Sequence, residues 1–304
     1  MSAAAATRSP PRADFAGAAL VALGAVAFSG KAIIVKLGLR LGADAVTLLA
    51  LRMLVALPLF LLMGLWAARR APPLSAGDRW RVFALGVSGY YLASLFDFLG
   101  LAYISATLER VILYLTPTFV LLLGAVLARR RPTRVQLVAL AISYAGVALA
   151  FGHDLRGGGE GVLTGSLLVL GSALSYAVYL YGSGEIVARV GAVRLTAYAS
   201  TVAALLCIGQ WWLLEPWAWP RLPSSVYALS LLNGTLCTVA PVLMTMIGVR
   251  RLGSGPASQI GMIGPVSTIV LSQLILHEPM GPWQIAGTAL VVAGVLAVSR
   301  AKAG

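Results

Sequence analysis

Residues 114–132 of the chain read YLTPTFVLLLGAVLARRRP, an uncharged run that ends in three arginines and a proline. A helix that crosses the roughly 30 Å hydrocarbon core of a bilayer needs about 20 residues that are mainly apolar. Arginine at the end of such a run is typical of the cytoplasmic face of a membrane protein. The stretch therefore predicts a membrane-spanning helix, and similar apolar stretches recur along the whole sequence.

The composition of the 304-residue chain supports the same class of protein. Hydrophobic residues make up 59% and charged residues 11%, whereas soluble domains carry about 25% charged residues. These values argue against a soluble enzyme, a disordered chain and a disulfide scaffold. Cys207 and Cys237 both fall in apolar stretches. Neither has a second cysteine or a histidine at ligand spacing, so we expect both to be packing residues.

The predicted fold class is an all-α membrane protein with ten transmembrane helices, arranged as two inverted five-helix repeats. Residues 1–13 are small, basic and contain proline, which is typical of a disordered cytoplasmic tail. The predicted spans cover residues 15–37, 44–67, 82–102, 107–128, 135–152, 161–183, 192–214, 224–248, 255–276 and 282–300.

The positions of lysine and arginine predict the orientation of the chain. Cytoplasmic segments of membrane proteins are enriched in these residues. With a cytoplasmic N-terminus, the clusters at 129–131 and 250–251 both fall on the inner side. The lysine and arginine residues of the predicted outer segments are only Arg40, Arg156 and Arg221. We therefore attribute the net charge of +13 to cytoplasmic loops rather than to nucleic-acid binding, and we expect both termini in the cytoplasm.

The two halves of the chain resemble each other at an offset of about 148 residues. Three collinear matches pair Pro117 with Pro265, Gln136 with Gln284 and Gly146 with Gly294. A five-helix unit has an odd number of spans, so its second copy must be inverted in the bilayer. The link at 128–132 is basic, whereas its counterpart at 276–280 has no lysine or arginine, as inversion requires. Inverted repeats are a recurring architecture of secondary transporters.

These features resemble the EamA-type members of the drug/metabolite transporter (DMT) superfamily. Residues 97–106 (DFLGLAYISA), with 114–117 (YLTP), look like the third-to-fourth helix region of that family, and 263–279 look like its counterpart in the second half. Glu278 keeps a family residue, whereas Arg130 stands where the family usually has glutamate. We assign Arg130 no shared role.

The resemblance implies two EamA-type repeats. The first covers residues 14–152 with helices 1–5. The second covers residues 153–304, with helices 6–10 and a short basic C-terminus. It also implies a central cavity lined by spans 1, 3, 4, 6, 8 and 9, and export of cargo across the inner membrane.

Ionisable side chains inside the hydrocarbon are costly and need a partner or a wet cavity. Lys31, Arg52 and Asp97 are predicted to lie deep in their spans. In one interpretation the two cations hold an anionic or zwitterionic solute and Asp97 balances them. In the other, Asp97 pairs with Arg110 or Arg52 and merely ties helices together. Asp97 is also a candidate for proton coupling.

The remaining ionisable residues within the spans are Lys36 and Glu109, which lie near outer ends where a side chain can reach the interface.

The charged members of the predicted substrate-binding set are Lys31, Arg52, Asp97 and Arg110. Uncharged residues complete the set. Pro117 and Pro265 lie at corresponding places in the two halves, and paired helix interruptions point to a site near the membrane midplane. Either proline could equally be a packing kink. Tyr91, Tyr176 and Asn233 offer hydrogen bonds within cavity-forming spans, although each could equally be a buried structural residue.

The sequence thus predicts a secondary transporter of small metabolites that works by alternating access in a bacterial-type inner membrane. The alternative is a lipid flippase or a non-transporting scaffold of the same fold. No enzymatic activity, cofactor, metal site or nucleic-acid partner is expected, because no catalytic or nucleotide-binding motif is present. The expected partners are an anionic or zwitterionic small molecule, protons and the lipid bilayer. The sequence leaves a homodimer open.

Overall fold

The computed structural model describes residues 15–69, 71–127, 129, 133–157, 161–214, 221–252, 257, 260–261, 263–278 and 281–301. The predicted tail at 1–13 and Arg130 lie outside these residues. The regular structure within them is helical. The α-helices are α1 Phe15–Arg40, α2 Ala45–Ala68, α3 Ala76–Gly86, α4 Ala93–Leu101, α5 Ala106–Leu113, α6 Thr116–Leu127, α7 Arg134–Gly157, α8 Val162–Val190, α9 Ala192–Leu214, α10 Ser224–Gly234, α11 Ala240–Leu252, α12 Ile263–Leu271 and α13 Pro282–Ala301.

Seven helical stretches among the described residues are long and apolar enough to cross a membrane. They correspond to the first four predicted spans and to the sixth, seventh and eighth. The stretches are Phe15–Arg40, Ala45–Ala68, Ala76–Leu101, Ala106–Leu127, Val162–Val190, Ala192–Leu214 and Ser224–Gly248. Shorter apolar helices at Arg134–Ala150 and Val266–Leu276 overlap the fifth and ninth predicted spans, and α13 overlaps the tenth. The prediction of a multi-span helical membrane protein is therefore confirmed, while the count of ten stays a prediction.

Several helices extend beyond their predicted ends, and local chemistry explains two of these extensions. The third predicted span starts at 82, but α3 begins at Ala76 because the Ser75 hydroxyl accepts a hydrogen bond from the Asp78 amide at 3.1 Å. The sixth predicted span ends at 183, but α8 continues to Val190. It stops there because Gly191 adopts a positive φ of 85°, which favours glycine.

Two π-helical segments interrupt these spans 148 residues apart in the sequence. Val87–Leu92 joins α3 to α4, and Thr235–Val239 joins α10 to α11. A third π segment, Ser272–Leu276, follows α12. A π turn adds one residue to the helical repeat and turns the following side chains to a new face, and such turns are frequent at functional sites.

The helices pack in pairs whose closest contacts involve glycine. α1 packs against α11 and α12, α4 packs against α8, α2 packs against α9, and α7 packs against α13. Gly100 of α4 lies against Gly165 and Val169 of α8. Each of these three residues lies 148 positions from a member of a second contact, in which Gly248 lies against Gly17 and Val21. The same local packing thus occurs twice in the bundle.

Candidate functional site: a cavity at a broken helix

A cavity of about 160 Å³ lies between α1, the junction of α5 with α6, and the two glycines Gly261 and Gly264. Its walls include Phe28, Ser29, Arg110, Tyr114 and Gly261. The mixture of an aromatic ring, hydroxyl groups and one guanidinium suits a small polar ligand with an apolar part. The described residues that belong to predicted spans one, four and nine therefore form a concave site.

Proline explains why the helix is broken beside this cavity. α5 ends at Leu113, and α6 begins at Thr116. Pro117 has no N–H and cannot donate to the carbonyl of Leu113, four residues earlier. The Thr116 hydroxyl donates to that carbonyl instead, at 2.7 Å. Non-helical backbone at membrane depth is tolerated where it borders a cavity or is buried in protein.

Pro265, like Pro117, lies four residues after a residue of the cavity lining. It cannot donate to the carbonyl of Gly261, four residues earlier, and Gly261 lines the cavity. Ser29 of α1 holds this wall in place, because its hydroxyl lies 2.6 Å from the carbonyl oxygen of Gly264. Both prolines named from the sequence therefore lie four residues after a residue that lines the cavity.

A cluster of four charged side chains borders the cavity. The ammonium group of Lys31 pairs with Asp97, and it lies 3.4 Å from Oε1 of Glu109. Nε of Arg110 lies 3.7 Å from Oε2 of Glu109. All four residues are buried, and Glu109 has no exposed surface. We call these residues the ionic cluster; it joins α1, α4 and α5.

Phe28 connects the ionic cluster to the cavity. Its ring lies 5.6 Å from the ammonium nitrogen of Lys31 and 5.9 Å from the guanidinium carbon of Arg110. The negative face of an aromatic ring attracts such cations. Because Phe28 is 43% exposed and lines the cavity, a ligand there would touch the same ring that contacts both cations.

Arg110 is the charged residue of the cluster that lines the cavity. Its Nε and Nη2 atoms make no hydrogen bond within the described part of the chain, although the residue is only 8% exposed. Leaving buried donors without acceptors costs about 1–3 kcal/mol, and more for a charged group. A ligand carboxylate or phosphate would satisfy these donors with charge-assisted hydrogen bonds.

The other predicted substrate-binding residues lie elsewhere in the bundle. Arg52 is buried, donates to the Ser94 hydroxyl at 3.0 Å and lies 4.6 Å from the centre of the Phe98 ring. The hydroxyl of Tyr91 lies 3.1 Å from Oε1 of Gln210. The structure therefore brings Lys31, Asp97 and Arg110 together but places Arg52 and Tyr91 outside the cavity lining given above.

Tyr176 and Asn233 also lie outside that lining. The ring of Tyr176 stacks on that of Tyr179 with centroids 5.7 Å apart. Asn233 is buried, and its Oδ1 accepts no hydrogen bond from a described residue. Whether these residues bind substrate stays a prediction.

The expected surroundings of two acidic residues need correction. Asp97 pairs with Lys31, so neither Arg110 nor Arg52 is its ion-pair partner among the described residues. Glu109 was expected near the interface, but it is fully buried. It lies in the first turn of α5, which is capped by the Ser105 hydroxyl and packs against α8 and α12. The sequence offered one indication that Glu109 belongs to the ionic cluster, because Glu109 directly precedes Arg110.

Sequence reasoning also missed Phe28 and Ser29. An aromatic residue and a serine are ordinary in an apolar helix, so their residue types carry no signal. The position of Phe28 is informative, because it lies three residues before Lys31 on the same side of α1. Three-residue spacing from a buried cation could have identified the ring.

Polar contacts join three segments near the C-terminal end of α1. Lys36 donates to the carbonyl oxygens of Leu101 and Ile104, at 3.1 and 2.8 Å. Arg40 donates to the carbonyl of Leu276 at 2.9 Å. The carboxylate of Glu278 accepts from the Ala106 amide at 3.1 Å. The end of α1, the link before α5 and the segment after α12 are thus tied together.

Comparison with known proteins places this architecture in a family. The EamA-like transporter family matches the chain twice, over residues 15–152 and 163–300. The uncharacterized transporter YcbK of Bacillus subtilis is 32% identical over 90% of this chain and 89% of its own length. A probable terminal-alkyne amino-acid exporter of Streptantibioticus cattleyicolor is 25% identical over 67% of this chain and 68% of its own.

A solved crystal structure has the same fold. It superposes with a TM-score of 0.64 over 94% of this chain and 99% of its own length, at 21% sequence identity. The names of the relatives indicate transporters rather than enzymes. Together with the two family matches and the apolar helices, they identify this chain as a multi-pass membrane protein that belongs to the EamA-like transporter family.

Proposed function

We propose that this protein is a secondary transporter that exports small carboxylate-bearing metabolites, with Arg110 as the residue that binds the carboxylate. The observation that carries the proposal is a buried guanidinium with unused donors at the wall of a cavity. An arginine in that state favours an anionic or zwitterionic ligand. The relative named as a probable amino-acid exporter supports a substrate that contains a carboxylate and supports export.

The proposed architecture is ten transmembrane helices in two inverted repeats, at 14–152 and 153–304. The two family matches support it, and so do contacts that recur at the same offset. Gly86 lies against the backbone of Ala199, and Gly234 lies against the backbone of Arg52. Gly234 follows Gly86 by 148 residues, and Ala199 follows Arg52 by 147. Two halves that exchange equivalent contacts could alternate between outward-open and inward-open states of similar energy.

In this proposal both termini are cytoplasmic, so the end tied together by Lys36, Arg40 and Glu278 is the outer end. Those contacts would close the outer path while the cavity takes up substrate. Export would require the same contacts to separate while a closure forms at the inner end. The exposed ion pair between Asp78 and Arg189, at 3.0 Å, is a contact at that inner end.

The test compares three small molecules that differ only in their charged groups. L-Propargylglycine has both a carboxylate and an ammonium group, 4-pentynoate has only the carboxylate, and 3-butynylamine has only the ammonium. We expect the first two, and not the amine, to raise the melting temperature of the purified full-length protein. A ligand at 100 times its dissociation constant adds about 2.7 kcal/mol to the folded state.

The variant Arg110→Gln should lose this stabilisation. Arg134→Gln is the matched control, because it removes an exposed arginine that is not part of the cavity lining. Stabilisation by the amine, or stabilisation by 4-pentynoate that survives in Arg110→Gln, would contradict the proposal. Stabilisation by lipids alone would favour the flippase or scaffold alternative.

A further inference from the structure

The buried carboxyl groups of Asp97 and Glu109 share one ammonium group. Asp97 pairs with Nζ of Lys31, and Oε1 of Glu109 lies 3.4 Å from the same nitrogen. A carboxylate has only acceptors, so two neighbouring carboxyl groups can hydrogen-bond to each other only when one of them carries a proton. Oδ1 of Asp97 and Oε2 of Glu109 accept no bond from an N–H or O–H group of the described residues. The pair therefore lies around one cation and has free lone pairs that could hold one proton.

Arg110 connects this pair to the cavity. Its guanidinium faces Glu109 on one side, at 3.7 Å, and lines the cavity on the other. A carboxylate ligand bound to Arg110 would bring a second negative charge to the group that neutralises Glu109. Two negative charges beside one guanidinium, the ligand carboxylate and Glu109, disfavour full ionisation of both. Binding of an anion should therefore draw a proton onto the carboxyl pair.

The other groups around the pair do not neutralise the negative charge that the ligand would add. Lys31 reaches the pair from α1, and Arg110 faces it from α5 itself. The Tyr114 hydroxyl lies beyond the end of α5 and cannot neutralise an anion. Arg52 is buried on α2, where it donates to Ser94 and contacts the Phe98 ring, and it forms no ion pair with either carboxylate among the described residues.

We propose that the carboxyl pair Asp97–Glu109 binds one proton together with each substrate carboxylate at Arg110, so that the protein moves an anion and a proton in the same direction. A proton from water forms an O–H bond with one carboxylate of the pair, and the other carboxylate accepts its hydrogen bond. The reverse step releases the proton when the substrate leaves Arg110. This inference rests on the proposed function, because it needs a carboxylate at Arg110. It assigns the proton to Glu109 as well as to Asp97.

The test measures proton uptake directly. The full-length protein is titrated calorimetrically with 4-pentynoate in phosphate and in Tris, two buffers with different ionisation enthalpies. The difference in heat gives the number of protons taken up. We expect about one proton per anion bound, with an affinity that falls by up to about tenfold per unit between pH 6 and 8, where the probe itself stays ionised.

Two variants assign the proton to the pair. Glu109→Gln should bind 4-pentynoate with no proton uptake and with an affinity that does not change with pH. Asp97→Asn neutralises the other member and should give the same result, which covers the case in which Glu109→Gln does not fold. Glu185→Gln is the control, because it removes an exposed carboxylate of α8 outside the cluster and should leave the uptake at about one proton.

Equal heats in the two buffers, with the anion still bound by the unsubstituted protein, would overturn the inference and leave the proposed function standing. Proton uptake that persists in both Glu109→Gln and Asp97→Asn would overturn the assignment to this pair. Absence of 4-pentynoate binding to the unsubstituted protein would overturn both the inference and the proposed function.

Discussion

Two regions of the molecule occupy corresponding places in the two halves of the sequence and differ completely in chemistry. Lys31 of the ionic cluster corresponds to Tyr179, which lies 148 residues later. Tyr179 belongs to an aromatic cluster in which its hydroxyl lies 3.4 Å from that of Tyr90 and its ring stacks on Tyr176. At the same offset, Asp97 and Glu109 correspond to Thr245 and Ala257.

The contrast separates two features of the chain: helix packing, which the two halves share, and charged side chains, which they do not. The glycine contacts that bring helix backbones together recur at the 148-residue offset, but the charged groups do not. Packing sets where helices approach, and a substitution there affects every neighbour. Side chains at a cavity wall are less constrained by packing and can differ between halves. The ionic cluster therefore concentrates the candidate binding chemistry in the first half.

Removing Lys31 should have the largest effect on this comparison. Lys31→Met leaves Asp97 and Glu109 buried without the ammonium group that both of them face. Breaking a buried ion pair by removing one partner costs about 3–5 kcal/mol. We expect a large fall in the melting temperature of the purified protein, measured by differential scanning fluorimetry.

The double variant Lys31→Met/Asp97→Asn should recover part of that loss, because it removes one of the unpaired negative charges. If the single variant unfolded at the temperature of the unsubstituted protein, the ionic cluster would contribute nothing to the fold. The asymmetry between the halves would then be of no energetic consequence.

Alanine at the repeated glycine contacts should have the next largest effect. A Cβ at Gly100 would lie 2.9 Å from the carbonyl oxygen of Gly165, and one at Gly248 would lie 3.1 Å from that of Gly17. Overpacking of this kind costs about 1–3 kcal/mol. Gly100→Ala and Gly248→Ala should therefore destabilise the protein by similar amounts in the same thermal assay.

Gly209→Ala is the control for these two variants, since a Cβ there meets no atom within 4 Å. Alanine is favoured over glycine inside a helix by about 0.5–1 kcal/mol, so this variant should be neutral or slightly stabilising. A large loss at Gly100 with none at Gly248 would show that the two contacts are not energetically equivalent.

The sequence predicted much of this architecture, and the physical reason is the bilayer. Apolar runs of about 20 residues have few alternatives to a spanning helix, so the spans that became α1, α2 and α9 lie within a few residues of their predicted bounds. Intramembrane charge likewise pointed to Lys31, Asp97 and Arg110, which the structure brings into one cluster. The burial of Glu109 could not be predicted, because it depends on the packing of α5 against other helices such as α8 and α12. The separation of Arg52 from Asp97 could not be predicted either, since it depends on Phe98 and Ser94.

The smallest effect should come from the aromatic cluster. Tyr179→Phe removes the hydroxyl that lies 3.4 Å from the Tyr90 hydroxyl but keeps the ring, whose centroid lies 4.9 Å from that of Tyr90. A hydrogen bond between neutral groups contributes about 0.5–1.5 kcal/mol, and this one is long. The change in melting temperature should therefore be a small fraction of that for Lys31→Met. Binding of 4-pentynoate should not change, because Tyr179 is not part of the described cavity lining. A loss of binding in Tyr179→Phe with stability retained would mean that the second half also contacts the substrate. The site would then extend across both clusters, and the chemical difference between the halves would reflect two parts of one ligand rather than one binding half and one structural half.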